Sequence, residues 1–348
     1  MKSSITWIQA FQNYSVCLAV LCLSSCVSNH PTCCTHGQVQ VPCHDESSQS
    51  YREWAPDART TLPCIAEQPK RGAHVKGVVV LAVGMDGTLG DYKSLTHALT
   101  QHGYAVYGSE TRTMKYDSVK ERRGRAVPWS QWPEDLRKFT ETVVRKNHPH
   151  LPIYYHGHSF GAVVALEAIA EQTHSGTKSV DGLILQSPAY ALLPAQNSCL
   201  ANALLWSFGY LRMPHLGLMQ SRKLEMVANP PGWTCAWMQS DDRVKKGYSL
   251  SWARQVLKMG NKARIFSETD LLPPTFALWG RNDFITLGGR LGDFYAQKQS
   301  DYVDYLNLKL AKKKAKVLPY DGCHLLTEGK DKEVAIRDII KWLDAQKP

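Results

Sequence analysis

From residue 51 onward, short apolar runs alternate with stretches of helical spacing. The runs at 78–83, 104–109, 152–156, 182–186 and 275–280 are mostly apolar and five or six residues long, the pattern of strands buried on both faces. Segments 51–55 and 315–320 read as two further strands. Helical spacing covers Lys93–Gln101, Pro133–Arg145, Gly161–Glu171 and Asp331–Asp344. In the last of these, Val334, Ile336, Ile339, Ile340 and Leu343 form one apolar stripe. This alternation predicts an α/β protein, with a mostly parallel sheet covered by helices on both faces. It stops between Pro188 and Leu272, where an insert carries the run Leu204–Leu211 and then Trp233 and Trp237. Residues 26–50 are polar and Cys-rich, with one weak strand near Gly37–Val41.

The run at 152–156 leads into Gly157-His158-Ser159-Phe160-Gly161, and a helical stretch begins behind it. Serine between two glycines at a strand-to-helix turn is the pattern of a nucleophile elbow. A side chain at 157 or 161 would collide with the crossing strand and helix. The helix N-terminus would aim free N–H groups and a positive dipole end at negative charge forming beside Ser159. Alone, the pentapeptide also fits a small-residue turn in another α/β protein. Two later residues shift the balance. Asp283 follows the strand 275–280 and His324 follows the strand 315–320, so both fall at carboxyl ends of strands, where open parallel sheets bind ligands. Singly, they read as a turn-capping acid and a loop histidine. With Ser159 they complete the chain order Ser, Asp, His. The expected triad is therefore Ser159 as nucleophile, His324 as general base and Asp283 as the orienting acid. Asp293 is the weaker alternative for the acid, and Cys323, which lacks an elbow, reads as a packing residue.

On these residues the chain resembles the α/β-hydrolases, in particular the serine aminopeptidase-like branch that includes monoacylglycerol lipases and bacterial lysophospholipases. Tyr51–Pro56 looks like that branch's second strand, and Gly77–Gly84 like its third, leading into the oxyanion loop. Tyr92, Leu95, Leu99, Gly103–Tyr107 and Arg112 follow its first helix and fourth strand, and Trp132–Leu136 the start of its next helix. The resemblance implies an α/β-hydrolase fold over 51–348, with a helical cap insert at about 189–272 above the serine. It also implies an oxyanion hole made of two backbone N–H groups, by position those of Met85 and Phe160. One departure stands out. The family's His-Gly-x-Gly is Val83-Gly84-Met85-Asp86 here. Backbone donors survive such changes, but an Asp86 carboxylate facing the oxyanion would oppose it. Asp commonly bonds its own backbone at turns, so a loop-bracing role is expected.

The N-terminus carries a second signal. Lys2 and a polar stretch precede an apolar segment of signal-peptide length, too short to span a bilayer comfortably. Leu23-Ser24-Ser25-Cys26 resembles the lipobox of bacterial lipoproteins, whose cysteine is lipidated after cleavage. The expectation is a signal peptide at 1–25 and a Cys-rich tether at 26–50. Acyl chains on Cys26 would hold the protein at a membrane of the bacterial cell envelope. An ordinary cleaved signal or an uncleaved anchor is the alternative, and a cleaved signal would leave a secreted or periplasmic protein.

Of ten cysteines, Cys17 and Cys22 lie in the leader, leaving eight; with Cys26 lipidated, seven remain and at least one lacks an intrachain partner. His30, Cys33, Cys34, His36, Cys43 and His44 fit no zinc spacing, and an oxidising compartment favours disulfides, so no metal is expected. The net charge of +10 leaves room for an anionic membrane surface. Basic residues cluster only at Lys312–Lys316, which reads more simply as a solvated helix end, and no nucleic-acid partner is expected.

Together these features imply a serine hydrolase cleaving a carboxylic ester, a lysophospholipid or monoacylglycerol, without metal or organic cofactor. An apolar cap suits acyl chains, and the same aromatics serve equally well as glue between cap and core. An aminopeptidase of the same branch, or a noncatalytic envelope binding protein on a hydrolase fold, stays open.

Overall fold

Alternating burial along strands is what assembles this molecule. The computed structural model describes residues 51–85, 87–174, 176, 180–189, 249–267, 269, 271–280, 315–320, 322, 324–329 and 331–346. Eight strands form one sheet: β1 (Arg52–Asp57), β2 (Thr60–Glu67), β3 (Gly77–Ala82), β4 (Tyr104–Ser109), β5 (Ile153–His158), β6 (Gly182–Gln186), β7 (Thr275–Gly280) and β8 (Lys316–Tyr320). Their spatial order is β1-β2-β4-β3-β5-β6-β7-β8. The first two strands pair antiparallel, and β2 meets β4 antiparallel. All other neighbours are parallel. The helices are α1 (Lys93–Gln101), α2 (Gln131–Phe139), α3 (Phe160–His174), α4 (Leu250–Ser267) and α5 (Lys332–Ala345).

Strand β3 shows the logic. All its residues are buried, yet Val78, Val80 and Ala82 join one core cluster while Val79 and Leu81 join another. The first cluster is closed by α2, α3 and α4, through residues such as Phe139, Leu166 and Trp252. The second is closed by α1 and α5, through Leu95, Leu99, Ile339 and Trp342. The sheet is thus mostly parallel and covered on both faces, as the alternation predicts.

Several details depart from the sequence pattern. Tyr51–Pro56, expected as a second strand, supplies the edge strand β1, and Thr60–Glu67 fills the place between it and β4. Pro63 hid that strand, because a proline inside a run argues against a sheet interior. Here its carbonyl still accepts the Glu110 N–H at 2.8 Å, and an Asp57 turn, closed by the Arg59 N–H at 2.9 Å, reverses the chain. Val334 does not belong to the buried stripe of α5; it is 40% exposed, and Ala335 and Trp342 are buried instead. The stretch after α2 continues as a π-helical turn at Thr140–Val144, where the Thr140 hydroxyl bonds both Leu136 O and the Tyr155 hydroxyl. Helix α4 falls in the stretch expected as cap insert. Its buried face, with Trp252, Val256, Met259 and Phe266, joins the first core cluster. The Gly37–Val41 strand and the aromatic insert at 204–237 lie outside the described residues.

Candidate active site

Ser159 stands at the turn between β5 and α3 with φ at 53°, in the left-handed region where non-glycine residues are uncommon. Three backbone bonds hold it there. Its N–H donates to Gln186 O at 2.9 Å, and its carbonyl accepts from Ala162 and Ala189 N–H, each at 3.1 Å. The flanking glycines are steric requirements. A Cβ on Gly157 would lie 2.5 Å from Ala162 Cα, and one on Gly161 would penetrate the carbonyl of Ala82. Sheet and helix therefore meet at a distance only glycine allows. Phe160 is buried edge-on to Trp132, 5.1 Å between centroids, which fixes the first turn of α3 behind the serine.

The loop after β3 runs beside this turn. A Cβ on Gly84 would lie 3.4 Å from Ser159 Cβ. Among the described residues no acceptor takes up the Met85 N–H. The Phe160 N–H stands at the start of α3, directly after Ser159.

His324 lies in the loop after β8 and is buried. Its ring sits 4.7 Å from the ring of His158, the residue before Ser159. A second contact joins the loops: His158 Nε2 is 3.1 Å from the carbonyl oxygen of His324. A carbonyl only accepts, so Nε2 carries the proton and Nδ1 is the acceptor. Tyr92 then donates its hydroxyl to Nδ1 at 2.8 Å and accepts the Gly84 N–H at 2.9 Å. Burial, with His324 and His156 nearby, holds His158 well below the usual histidine range, so it stays neutral and keeps this single tautomer. One unbroken chain of hydrogen bonds therefore ties the Gly84 loop, the elbow and the histidine loop together.

Three carboxylates brace the segment after Gly84, Asp91 and Glu110 buried and Glu328 half-buried. Asp91 accepts the Thr88 N–H at 2.7 Å, and Glu110 the Leu89 N–H at 2.9 Å. Glu328, four residues past His324, takes the Ser94 N–H and hydroxyl, both at 2.8 Å. Burial pushes Glu110 up to about 8, with Asp91 adding to the shift, and pushes Glu328 up to about 7. His156, one turn of the pleat below His158, is driven down to about 4 by burial. Sequence reasoning passed over Tyr92 as a helix landmark and over His158 as the variable position of the elbow. At His158 the available signal was a polar residue in a buried strand; Tyr92, between Asp91 and Lys93, offered none.

Ser159, His324, Met85 and Phe160 are thus gathered at one sheet edge. Asp283 lies outside the described residues, as do Cys26, Asp86, Asp293 and Cys323. The strand before Asp283 does reach that edge: Gly280 at the end of β7 is opposite Tyr320 at the end of β8. Among the described residues no group of His, Cys, Asp or Glu could hold a metal ion, and no helix is long and apolar enough to cross a membrane. Cys64, buried in β2, is a free thiol.

Sheet order, strained serine turn and histidine loop together define an α/β-hydrolase fold. The serine aminopeptidase (S33) family matches residues 73–306, and the chain belongs to that hydrolase family. No curated protein matches it. Among solved structures it is similar to a thermostable carboxyl esterase from Bacillus coagulans in complex with glycerol, at 14% identity and TM-score 0.67, over 86% of this chain and 99% of that one. A soluble variant of monoglyceride lipase from Saccharomyces cerevisiae in complex with a substrate analog is similar at 15% identity and TM-score 0.59, over 92% and 100%. The monoacylglycerol lipase of Paleococcus ferrophilus is similar at 19% identity and TM-score 0.55, over 82% and 99%. At such identities the likeness is one of fold.

Proposed function

We propose that this protein is a serine ester hydrolase whose substrate is a monoacylglycerol or lysophospholipid. The observation that carries the proposal is Ser159 in its strained turn, with the His324 loop bound to the adjacent His158. In this reading Ser159 Oγ attacks the acyl carbonyl while His324 takes its proton. The carbonyl π electrons move onto oxygen, where the Met85 and Phe160 N–H groups stabilise the charge. As that charge collapses, the bond to the alcohol breaks and His324 returns the proton to the leaving oxygen. Water, deprotonated by His324, then attacks the acyl-enzyme; as that intermediate collapses the acyl–Oγ bond breaks, His324 returns its proton to Ser159 Oγ, and the acid leaves. Asp283 orients the imidazole and stabilises its charged form. This cycle asks nothing of a metal or organic cofactor. The lipase and esterase names of the structural neighbours favour an acyl ester over other substrates.

The family's own description, serine aminopeptidase, keeps a peptide substrate as the second reading. Fluorophosphonate labelling lost in Ser159→Ala, together with a higher kcat/KM for monoacylglycerols than for aminoacyl anilides, supports the ester reading. Labelling of the Ser159→Ala protein at the wild-type rate would remove Ser159 as nucleophile. The proposal extends to the N-terminus, with a lipid anchor on Cys26 placing the enzyme at a membrane of the bacterial cell envelope. Fatty-acid incorporation in cells, absent from Cys26→Ser, is the matching test. Incorporation unchanged by that substitution counts against the anchor.

A further inference from the structure

Helix α4 has a one-sided outer surface. It carries Arg254, Lys258, Lys262 and Arg264 and no acidic residue. At about 100° per residue, Arg254, Lys258 and Lys262 fall within an arc of about 80°, and Ile265 falls inside that same arc. The opposite side, with Trp252, Val256 and Phe266, is buried against the sheet and α3. Ile265 is 58% exposed, and Leu271, just past the helix end, is 55% exposed. Trp129, half-buried against the first core cluster, lies alongside, its ring 4.4 Å from Lys262 Nζ and its backbone N–H donated to Gln255 Oε1 at 3.3 Å. Among the described residues, none of the three cations in the arc joins an ion pair.

We infer that this flank docks on a membrane surface rich in anionic phospholipid. Three unpaired cations in a row supply long-range attraction to phosphate headgroups. Ile265 and Leu271 reach the acyl boundary, and Trp129 has the amphipathic ring that settles at such interfaces. A merely solvated helix would intersperse acids at i,i+4 spacing with those cations. A nucleic acid would use the cations and leave the two aliphatics in water. The docking goes beyond ester hydrolysis and requires no acyl chain on Cys26.

The test uses the full chain carrying Cys26→Ser, so that acylation contributes nothing. Co-sedimentation is measured with vesicles of phosphatidylcholine alone and of phosphatidylcholine mixed with phosphatidylglycerol. Binding to the mixed vesicles only is expected, weakening as salt rises. Lys258→Gln with Lys262→Gln should weaken it roughly 25-fold, about fivefold per cation. Ile265→Ser with Leu271→Ser should weaken it further without changing the salt dependence. Lys146→Gln with Lys341→Gln, two exposed lysines elsewhere with the same charge change, should leave it intact. An equal loss in that control pair, or equal binding to neutral vesicles, would overturn the docking face. Retention on duplex DNA that depends on the two lysines but not on the two aliphatics would replace the lipid by a nucleic acid.

Discussion

The two faces of the sheet solve different problems. The face under α2, α3 and α4 is filled by Leu, Val, Phe and Trp, and it holds polar groups that satisfy one another. Arg112 grips Asp135 through two bonds of 2.6 and 2.7 Å, and the Thr140 and Tyr155 hydroxyls satisfy each other. The face under α1 and α5 is equally closed but carries His156, His158, Glu110 and Asp91 near the serine turn. Burial drives two of its groups, Glu110 and His156, towards their neutral forms. Burying ionisable groups costs stability, and three of them hold backbone beside the serine turn: Asp91 the Thr88 N–H, Glu110 the Leu89 N–H and His158 the His324 carbonyl. One face supplies stability, and the other gives some of it up to hold the site in shape.

The largest effect expected from breaking this division lies on the apolar face. Phe139 is fully buried, edge-on to Trp54 at 5.2 Å. Phe139→Ala should cost about 3–5 kcal/mol, read as a lower urea midpoint at unchanged slope. The folded fraction should label with fluorophosphonate at the wild-type rate. A labelling rate that falls along with stability would show that this face also shapes the site.

That division was only half legible in the sequence. Apolar runs and helical spacing announced the sheet, four of the helices and the elbow, because burial periodicity and glycine sterics are local properties. The first strands were misnumbered because Pro63 interrupts a run that tertiary pairing nevertheless makes a strand. Ser159 and His324 could be proposed from chain order alone. The Tyr92–His158 strut could not, since its members lie 66 residues apart and only the register of the sheet brings them together. Glu110 and Glu328 look like ordinary surface acids until burial is known.

The second expected effect sharpens the polar side. Tyr92→Phe keeps the ring but strips the hydroxyl that serves both Gly84 N–H and His158 Nδ1. Two orphaned buried groups at about 1–3 kcal/mol each cost about 2–6 kcal/mol, comparable to Phe139→Ala. The distinguishing measurement is kinetic. With the loop carrying Met85 loosened, kcat should fall about tenfold at nearly constant KM, short of the 10²–10³ for outright loss of an oxyanion donor. Loss of stability with unchanged kcat would make Tyr92 a packing residue and leave the strut without a role at the site.

The last expected effect emerges only as a change of slope with pH. Glu110 is pushed from its ordinary 4.5 up to about 8 by burial, with Asp91 adding and Lys115 opposing. Between those values the folded protein keeps a proton that the unfolded chain has released. The stability that neutral Glu110 contributes is therefore full below about 4.5 and is lost as pH rises towards about 8. Glu110→Gln removes the titration and retains an oxygen for the Leu89 N–H. Melting temperatures of the two proteins should differ little in mild acid and diverge as pH rises, with the glutamine variant the more stable. The wild type should also lose activity as pH rises through about 8, where a carboxylate charge develops beside Asp91 in the folded protein and disturbs the segment that follows Gly84. Parallel melting curves across the whole range would mean that Glu110 is already ionised and well satisfied. In that case the two faces of the sheet would be alike in how they carry charge.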